Sequence, residues 1–236
     1  MRRVMFPFLI AILSVCLGCS GEVETTPAPA EPPQAAPQEV KLFNGQTLDG
    51  WAAFLVEPDV AMEDVWSVQD SILVCKGEPM GYLHTTTDYT SYRLIVEWRW
   101  APGTEPGNSG VLLRVNGEPQ ALPRSIEAQL KSGDAGNLYG FHGMKLDGDP
   151  ERTTKEPNHE RLGGFVAVNK IEGNENEPGQ WNTYDITLDG PDLTVQVNGK
   201  EVNKAWDCET TKGSIALQSE GGEIHFRKVL LTPLGE

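Results

Sequence analysis

YRLIVEWRW, residues 92–100, decides how this chain folds. Successive side chains on a strand point to opposite faces. Tyr92, Leu94, Val96, Trp98 and Trp100 therefore share one side, and Arg93, Ile95, Glu97 and Arg99 the other. After a Gly/Pro-rich turn comes GVLLRV (110–115), which carries Arg114. After another turn, SIEAQL (125–130) sets Ser125, Glu127 and Gln129 opposite Ile126, Ala128 and Leu130. One sheet face is expected to be apolar core and the other to gather Glu97, Arg99, Arg114, Glu127 and Gln129. A face that merely meets solvent usually carries Thr, Ser and Lys. Arg and Glu beside Trp point instead to a polar groove built to hold something.

The rest of the folded part reads the same way. LFNG, WSVQDSILVC, GFVAV, WNTYDITL, LTVQVNGKEV, GSIALQS and EIHFRKVLL are short runs rich in β-branched and aromatic residues, mostly bounded by Gly, Pro, Asn or Asp. Asn198-Gly199 is the pair suited to a type I′ hairpin. No window sustains apolar residues at helical spacing over three turns. The expectation is an all-β chain, a two-sheet antiparallel sandwich or jelly roll. Residues 132–180 depart from the pattern. Their Gly- and aromatic-rich opening, SGDAGNLYGFHGM, suits the wall of a groove, and the charged DGDPERTTKEPNHER reads as a solvated loop.

The chain has 236 residues, room for one all-β domain with extras, and a formal charge of −15. So acidic a surface argues against nucleic acid and against adsorption to anionic lipid. The first residues read as an export signal: basic Met-Arg-Arg, then an apolar run over residues 4–17, too short for a stable membrane span. It ends in CLGCSG, where Gly18 before Cys19 fits a lipoprotein cleavage site. Residues 1–18 are read as signal peptide, Cys19 as the lipidated N-terminus, residues 19–38 as a Pro-rich linker and residues 39–236 as the folded domain. That reading implies a cell-envelope protein facing the periplasm or exterior, touching membrane through its lipid anchor only. Cys75 and Cys208 are left either to form a disulfide or to remain two buried thiols. No CxxC spacing marks zinc or redox chemistry.

The ordered set LFNGQTLDGW, SVQDSILVCKG, GYLHTT, SYRLIVEWRW, GNSGVLLR, IEAQL, SGDAGNLYG, GQWNTYDI, VNGKEVN and GSIALQSEGGEIHFRKVLL resembles the 3-keto-disaccharide hydrolase domain from about Val40 to Leu234. The resemblance implies a concanavalin-like jelly roll of two antiparallel sheets whose concave face binds an oligosaccharide or glycoside. For some members it implies cleavage of glycosides already oxidised to a ketone at sugar carbon 3, which requires a sugar 3-oxidoreductase upstream. The ketone acidifies the hydrogen on carbon 2, so a base can remove it and the glycosidic oxygen can leave carbon 1; water then adds to the enone. Such a site needs a base, a donor facing the enolate and an acid for the leaving oxygen.

Glu127 and His84, the latter in GYLHTT, are the expected acid/base pair, and Arg99 and Arg114 supply forked donors for the enolate. Glu97 and Gln129 are expected to bind hydroxyls, and Asp134 and His142 to reach in from the covering loop. Trp51, Trp98 and Trp181 are candidates for stacking on sugar rings, with Trp98 and Trp100 expected in the core. There is no HxH or HExxH. A divalent metal held by His84, Glu127 and Asp134, or a calcium on turn carboxylates, stays open on these residues. The alternative to an enzyme is a non-catalytic carbohydrate-binding lipoprotein using the same face. A third class is an envelope module whose groove binds protein.

Overall fold

The computed structural model describes residues 38–235, so the signal peptide, Cys19 and nearly all of the linker lie outside the described residues. In chain order the strands are β1 (Val40–Lys41), β2 (Trp51–Leu55), β3 (Trp66–Gln69), β4 (Ile72–Cys75), β5 (Gly81–Thr85), β6 (Tyr92–Trp100), β7 (Gly110–Asn116) and β8 (Arg124–Gln129). There follow β9 (Leu138–Gly140), β10 (Thr153–His159), β11 (Gly163–Val168), β12 (Asn182–Asp189), β13 (Asp192–Val197), β14 (Lys200–Ala205), β15 (Ser214–Ser219) and β16 (Ile224–Pro233). A single helical turn, α1 (Met62–Val65), precedes β3. One sheet runs β14-β13-β12-β6-β16-β4-β3 with β1 beside β16; the other runs β10-β11-β9-β8-β7-β15-β5-β2. The fold is the expected all-β sandwich of two antiparallel sheets.

The alternation in YRLIVEWRW holds. Tyr92, Leu94, Val96, Trp98 and Trp100 are buried in the space between the sheets, where they meet Val111, Leu113, Ile126, Ala128 and Leu130 of the other layer. Burying one such side chain is worth about 1.5–3 kcal/mol. A one-residue slip of β6 would expose all five, a loss comparable to the roughly 5–15 kcal/mol that holds a domain together. Register here is therefore fixed by the core. At Asn198-Gly199 the φ values of +51° and +78° match the hairpin turn expected between β13 and β14.

The gathered polar face needs correction. β6 lies in one sheet, while β7 and β8 lie in the other, because residues 101–109 carry the chain across the sandwich. Glu97 and Arg99 consequently face outward from the first sheet, and Glu127 and Gln129 outward from the second. Alternation tells which residues share a face of one strand, not which sheet that strand joins. Residues 153–159 also differ from expectation: the charged segment is the edge strand β10, exposed along most of its length and paired with β11. Charges and Pro157 suit a sheet edge, where they discourage further pairing. Cys75 and Cys208 are free and buried, and desolvation pushes both thiols up to about 12.

Candidate functional site

The outward face of the second sheet carries the site. Strand register sets Leu112, Glu127 and Tyr139 side by side across β7, β8 and β9. Glu127 is only 2 % exposed, yet its Oε1 has no hydrogen-bond partner. Burial holds its carboxyl well above the usual carboxylate range, and the nearby Glu220 adds to the shift. Glu220 follows β15; it too is raised by desolvation, opposed by the Arg161 charge, and its Oε2 accepts from Asn108 Nδ2 at 2.8 Å. These groups border a cavity of about 370 Å³ together with Gln129, Lys131, Asp134, Tyr139, Phe141, Leu122, Leu162 and Phe165.

The walls come from the irregular region between β8 and β11. Tyr139, Phe141 and Phe165 form a ring stack with centroids 5.7–6.2 Å apart, extended by His159 against Phe165 at 5.8 Å. His159 Nδ1 accepts from the backbone N–H groups of Arg161 and Leu162, shaping the β10–β11 turn that holds Arg161 over the groove. The Tyr139 hydroxyl is hydrogen-bonded by Asn137 and Gln129, and burial raises its pKa, so it stays a phenol and a donor at neutral pH.

Gly110 is what lets Glu127 lie flat in the sheet. A Cβ on residue 110 would sit 2.1 Å from Glu127 Oε1 and 2.9 Å from its Cγ and Cδ. Gly110→Ala is expected to evict the carboxyl from the groove floor. Activity on the substrate class proposed below should fall about 10²-fold, while the thermal unfolding midpoint moves little. An alanine variant that keeps full activity would show that Glu127's present position is not the working one.

The other expected site residues are placed as follows. Asp134 lines the cavity and pairs with Lys131 at 3.4 Å. Gln129 also lines it, with Oε1 held by the N–H groups of Leu130 and Lys131. His142 stands behind the wall, its Nε2 at 2.9 Å from the Leu122 carbonyl. His84 is on β5, and β15 and β7 intervene before β8. Three strand spacings separate it from Glu127, about 14 Å. It cannot share a proton-transfer site with Glu127, nor complete the metal set with Glu127 and Asp134. Among the described residues no three His, Cys, Asp or Glu side chains are grouped to hold a metal ion.

Arg114 is in neither groove nor ion pair. A bulge and a φ of +53° turn it inward, where it is 0 % exposed and donates to the Thr90, Gly190 and Glu209 carbonyls at 2.6–2.9 Å. Glu97 is bound by Arg227 and Lys228, and Arg99 lies over the Trp181 ring at 4.5 Å with Arg227 at the same distance. All of these belong to the opposite face of the sandwich. Trp51 and Trp98 are core.

Sequence reasoning missed Glu220, Arg161, Tyr139 and Asn108. Glu220 precedes the Gly221-Gly222 turn, and nothing in the spacing of GSIALQSEGGE ties that carboxylate to Glu127. Arg161 was hidden in a stretch taken for solvated loop.

Fold and site together define a concanavalin-like β-sandwich with a carboxyl-floored, aromatic-walled groove on one sheet. The chain belongs to the family of the 3-keto-alpha-glucoside-1,2-lyase-like domain, whose model matches residues 38–232. That membership gives it a carbohydrate-related role. Among solved structures it is similar to a proposed glycosyl hydrolase from Parabacteroides distasonis, with TM-score 0.59, 18 % identity, and coverage of 84 % of this chain and 94 % of that one. It is also similar to a carbohydrate-binding module from Bacillus subtilis (TM-score 0.54, 9 % identity, 76 % and 93 % covered) and to the β-glucanase of Bacillus licheniformis (0.50, 14 %, 85 % and 99 %). At these identities the likeness is one of fold. No curated protein matches the sequence.

Proposed function

We propose that this protein cleaves glycosides bearing a ketone at sugar carbon 3, by elimination and hydration, with Glu220 and Glu127 as its base and acid. The observation that carries the reading is the coupled carboxyl pair in the groove: two acids, both shifted upward, in different surroundings. Glu127, buried in the groove floor with Oε1 unpaired by any protein group, keeps its proton near neutrality. Glu220, steadied by the Asn108 amide and the Arg161 charge, gives its proton up first. Unlike environments assign unlike roles.

Glu220 takes the proton from carbon 2, and the enolate that forms on the carbon 3 oxygen is stabilised by the Arg161 guanidinium and the Tyr139 hydroxyl. The bond from carbon 1 to the glycosidic oxygen breaks, and Glu127 delivers its proton to that oxygen. Water then adds through oxygen to carbon 1 of the enone, its proton returning to Glu127, while Glu220 returns a proton to carbon 2. The net change is hydrolysis, and both carboxyls end as they began. In the same proposal the chain is anchored through lipidated Cys19 outside the cytoplasm, and a separate sugar 3-oxidoreductase supplies its substrate.

The pH–rate profile of a 3-keto-glycoside tests the pair. Activity requires Glu220 ionised and Glu127 protonated, so kcat/KM should be bell-shaped. Its acidic limb should lie above the ordinary glutamate value, and its alkaline limb, set by Glu127, higher still. A profile that rises to a plateau and never falls would contradict a protonated Glu127.

A further inference from the structure

We infer that Glu127, Gln218 and Asn108 form a built binding site for one ordered water molecule in the groove floor, and that this is the water added to the enone. The inference rests on the reaction proposed above and names one of its reactants. Among the described residues, four buried polar atoms on this side of the second sheet lack any hydrogen-bond partner: Glu127 Oε1, Asn108 Oδ1, and both Nε2 and Oε1 of Gln218. Gln218 is 0 % exposed. Buried polar groups are nearly always paired, so an amide with neither end satisfied by the protein points to a small polar ligand.

Register brings these atoms together. Ala216 pairs with Leu112 and Leu217 with Val111, so Gln218 falls opposite Gly110 on the neighbouring strand. Glu127 Oε1 lies directly over Gly110, as the 2.1 Å approach to its Cβ position shows. Ile215 and Leu217 point into the core, and Ala216 packs on the outward face with Tyr82 and Leu112. Gln218, by alternation, also faces outward, on the Glu127 side of the sheet. Asn108 stands two residues before Gly110. Its amide holds Glu220, the Ser109 hydroxyl between them is bonded to the Gln218 carbonyl, and its own Oδ1 remains free.

The chemistry of the set fits a hydroxyl that both donates and accepts. Gln218 Nε2 and the protonated Glu127 carboxyl at Oε1 donate to it, while Gln218 Oε1 and Asn108 Oδ1 accept its two hydrogens. A water held this way has the usual complement of about three partners for a buried water. It also touches the carboxyl that takes its proton when its oxygen bonds to carbon 1. A sugar hydroxyl offers the same chemistry, but Gln218, at 0 % exposed, is too enclosed to be a direct contact of the substrate. Gln218 is thus a positioning residue for hydration, with no part in the elimination.

A high-resolution crystal structure of the sugar-free protein, together with product analysis on a 3-keto-glycoside, tests this. The expected results are a fully occupied water bonded to Gln218, Glu127 and Asn108, and loss of that water in Gln218→Met, with Gln218→Leu as a second variant. Both variants should still release the leaving sugar, but the ratio of hydrated product to ultraviolet-absorbing enone should fall about tenfold, as for the loss of one positioning hydrogen bond. The inference is overturned if the sugar-free protein holds no water there, if the position fills only when sugar binds, or if the product ratio is unchanged in folded variants. If the wild type cleaves no 3-keto-glycoside, the functional reading fails, and the crystal structure alone still decides the water site.

Discussion

Glu127→Gln should lower turnover of a 3-keto-glycoside by about 10²–10⁴-fold, the range for removing a general acid, without weakening the fold. The amide keeps the shape of the side chain and its place over Gly110 but has no proton to give. Stability should move the other way. Glu127's folded pKa is raised above the unfolded one, chiefly by desolvation and further by Glu220. Below the unfolded value of about 4.3 both states hold the proton and no penalty exists. As pH rises past it, the unfolded chain ionises while the folded chain stays protonated. Wild-type stability then falls by about 1.4 kcal/mol per pH unit until the folded pKa is reached. The Gln variant lacks that slope, so denaturant titrations at pH 5 and pH 8 should show it gaining on the wild type at the higher pH. A variant with lost activity and an unchanged pH slope would mean that Glu127 is already ionised in the native protein.

Arg114→Met should destabilise the protein by about 3–5 kcal/mol, because three buried carbonyls lose a charged donor at about 1–3 kcal/mol apiece. The guanidinium ties three chain segments through the carbonyls of Thr90, Gly190 and Glu209, all of which lose their donors in the variant. Against a typical total of about 5–15 kcal/mol this is a severe loss. Equilibrium urea unfolding measures it. Activity per folded molecule should be unchanged, because Arg114 does not line the groove. A stable variant with weakened sugar binding would restore Arg114 to the substrate-binding role that its strand position implied.

These two residues show where the sequence could be read and where it could not. Side chains alternating along a strand report their face locally, so the core positions of β6, β7 and β8, and the outward Glu127 and Gln129, follow from spacing alone. Which sheet a strand joins is a nonlocal choice made by the crossing at residues 101–109, and it separates Glu97 and Arg99 from Glu127. Arg114 had the right residue type in the right strand, but the bulge between Leu113 and Asn116 breaks the alternation and turns it inward. Glu220 and Arg161 lie about 90 and 30 residues from Glu127 in the chain and meet it only through the order of strands in the sheet. His84 illustrates the converse: a titratable side chain on the correct face of the correct sheet, three strands out of reach.

The measurement that tests the central claim most directly is cleavage of a 3-keto-disaccharide beside its unoxidised parent, by one preparation of the protein, with Glu127→Gln as control. Release of the leaving sugar from the keto form alone, abolished by the substitution, is the predicted result, because only the ketone makes the carbon 2 hydrogen acidic enough for Glu220. Equal cleavage of both sugars would contradict elimination. Binding without cleavage of either would make the groove a carbohydrate-binding site whose buried carboxyls serve recognition.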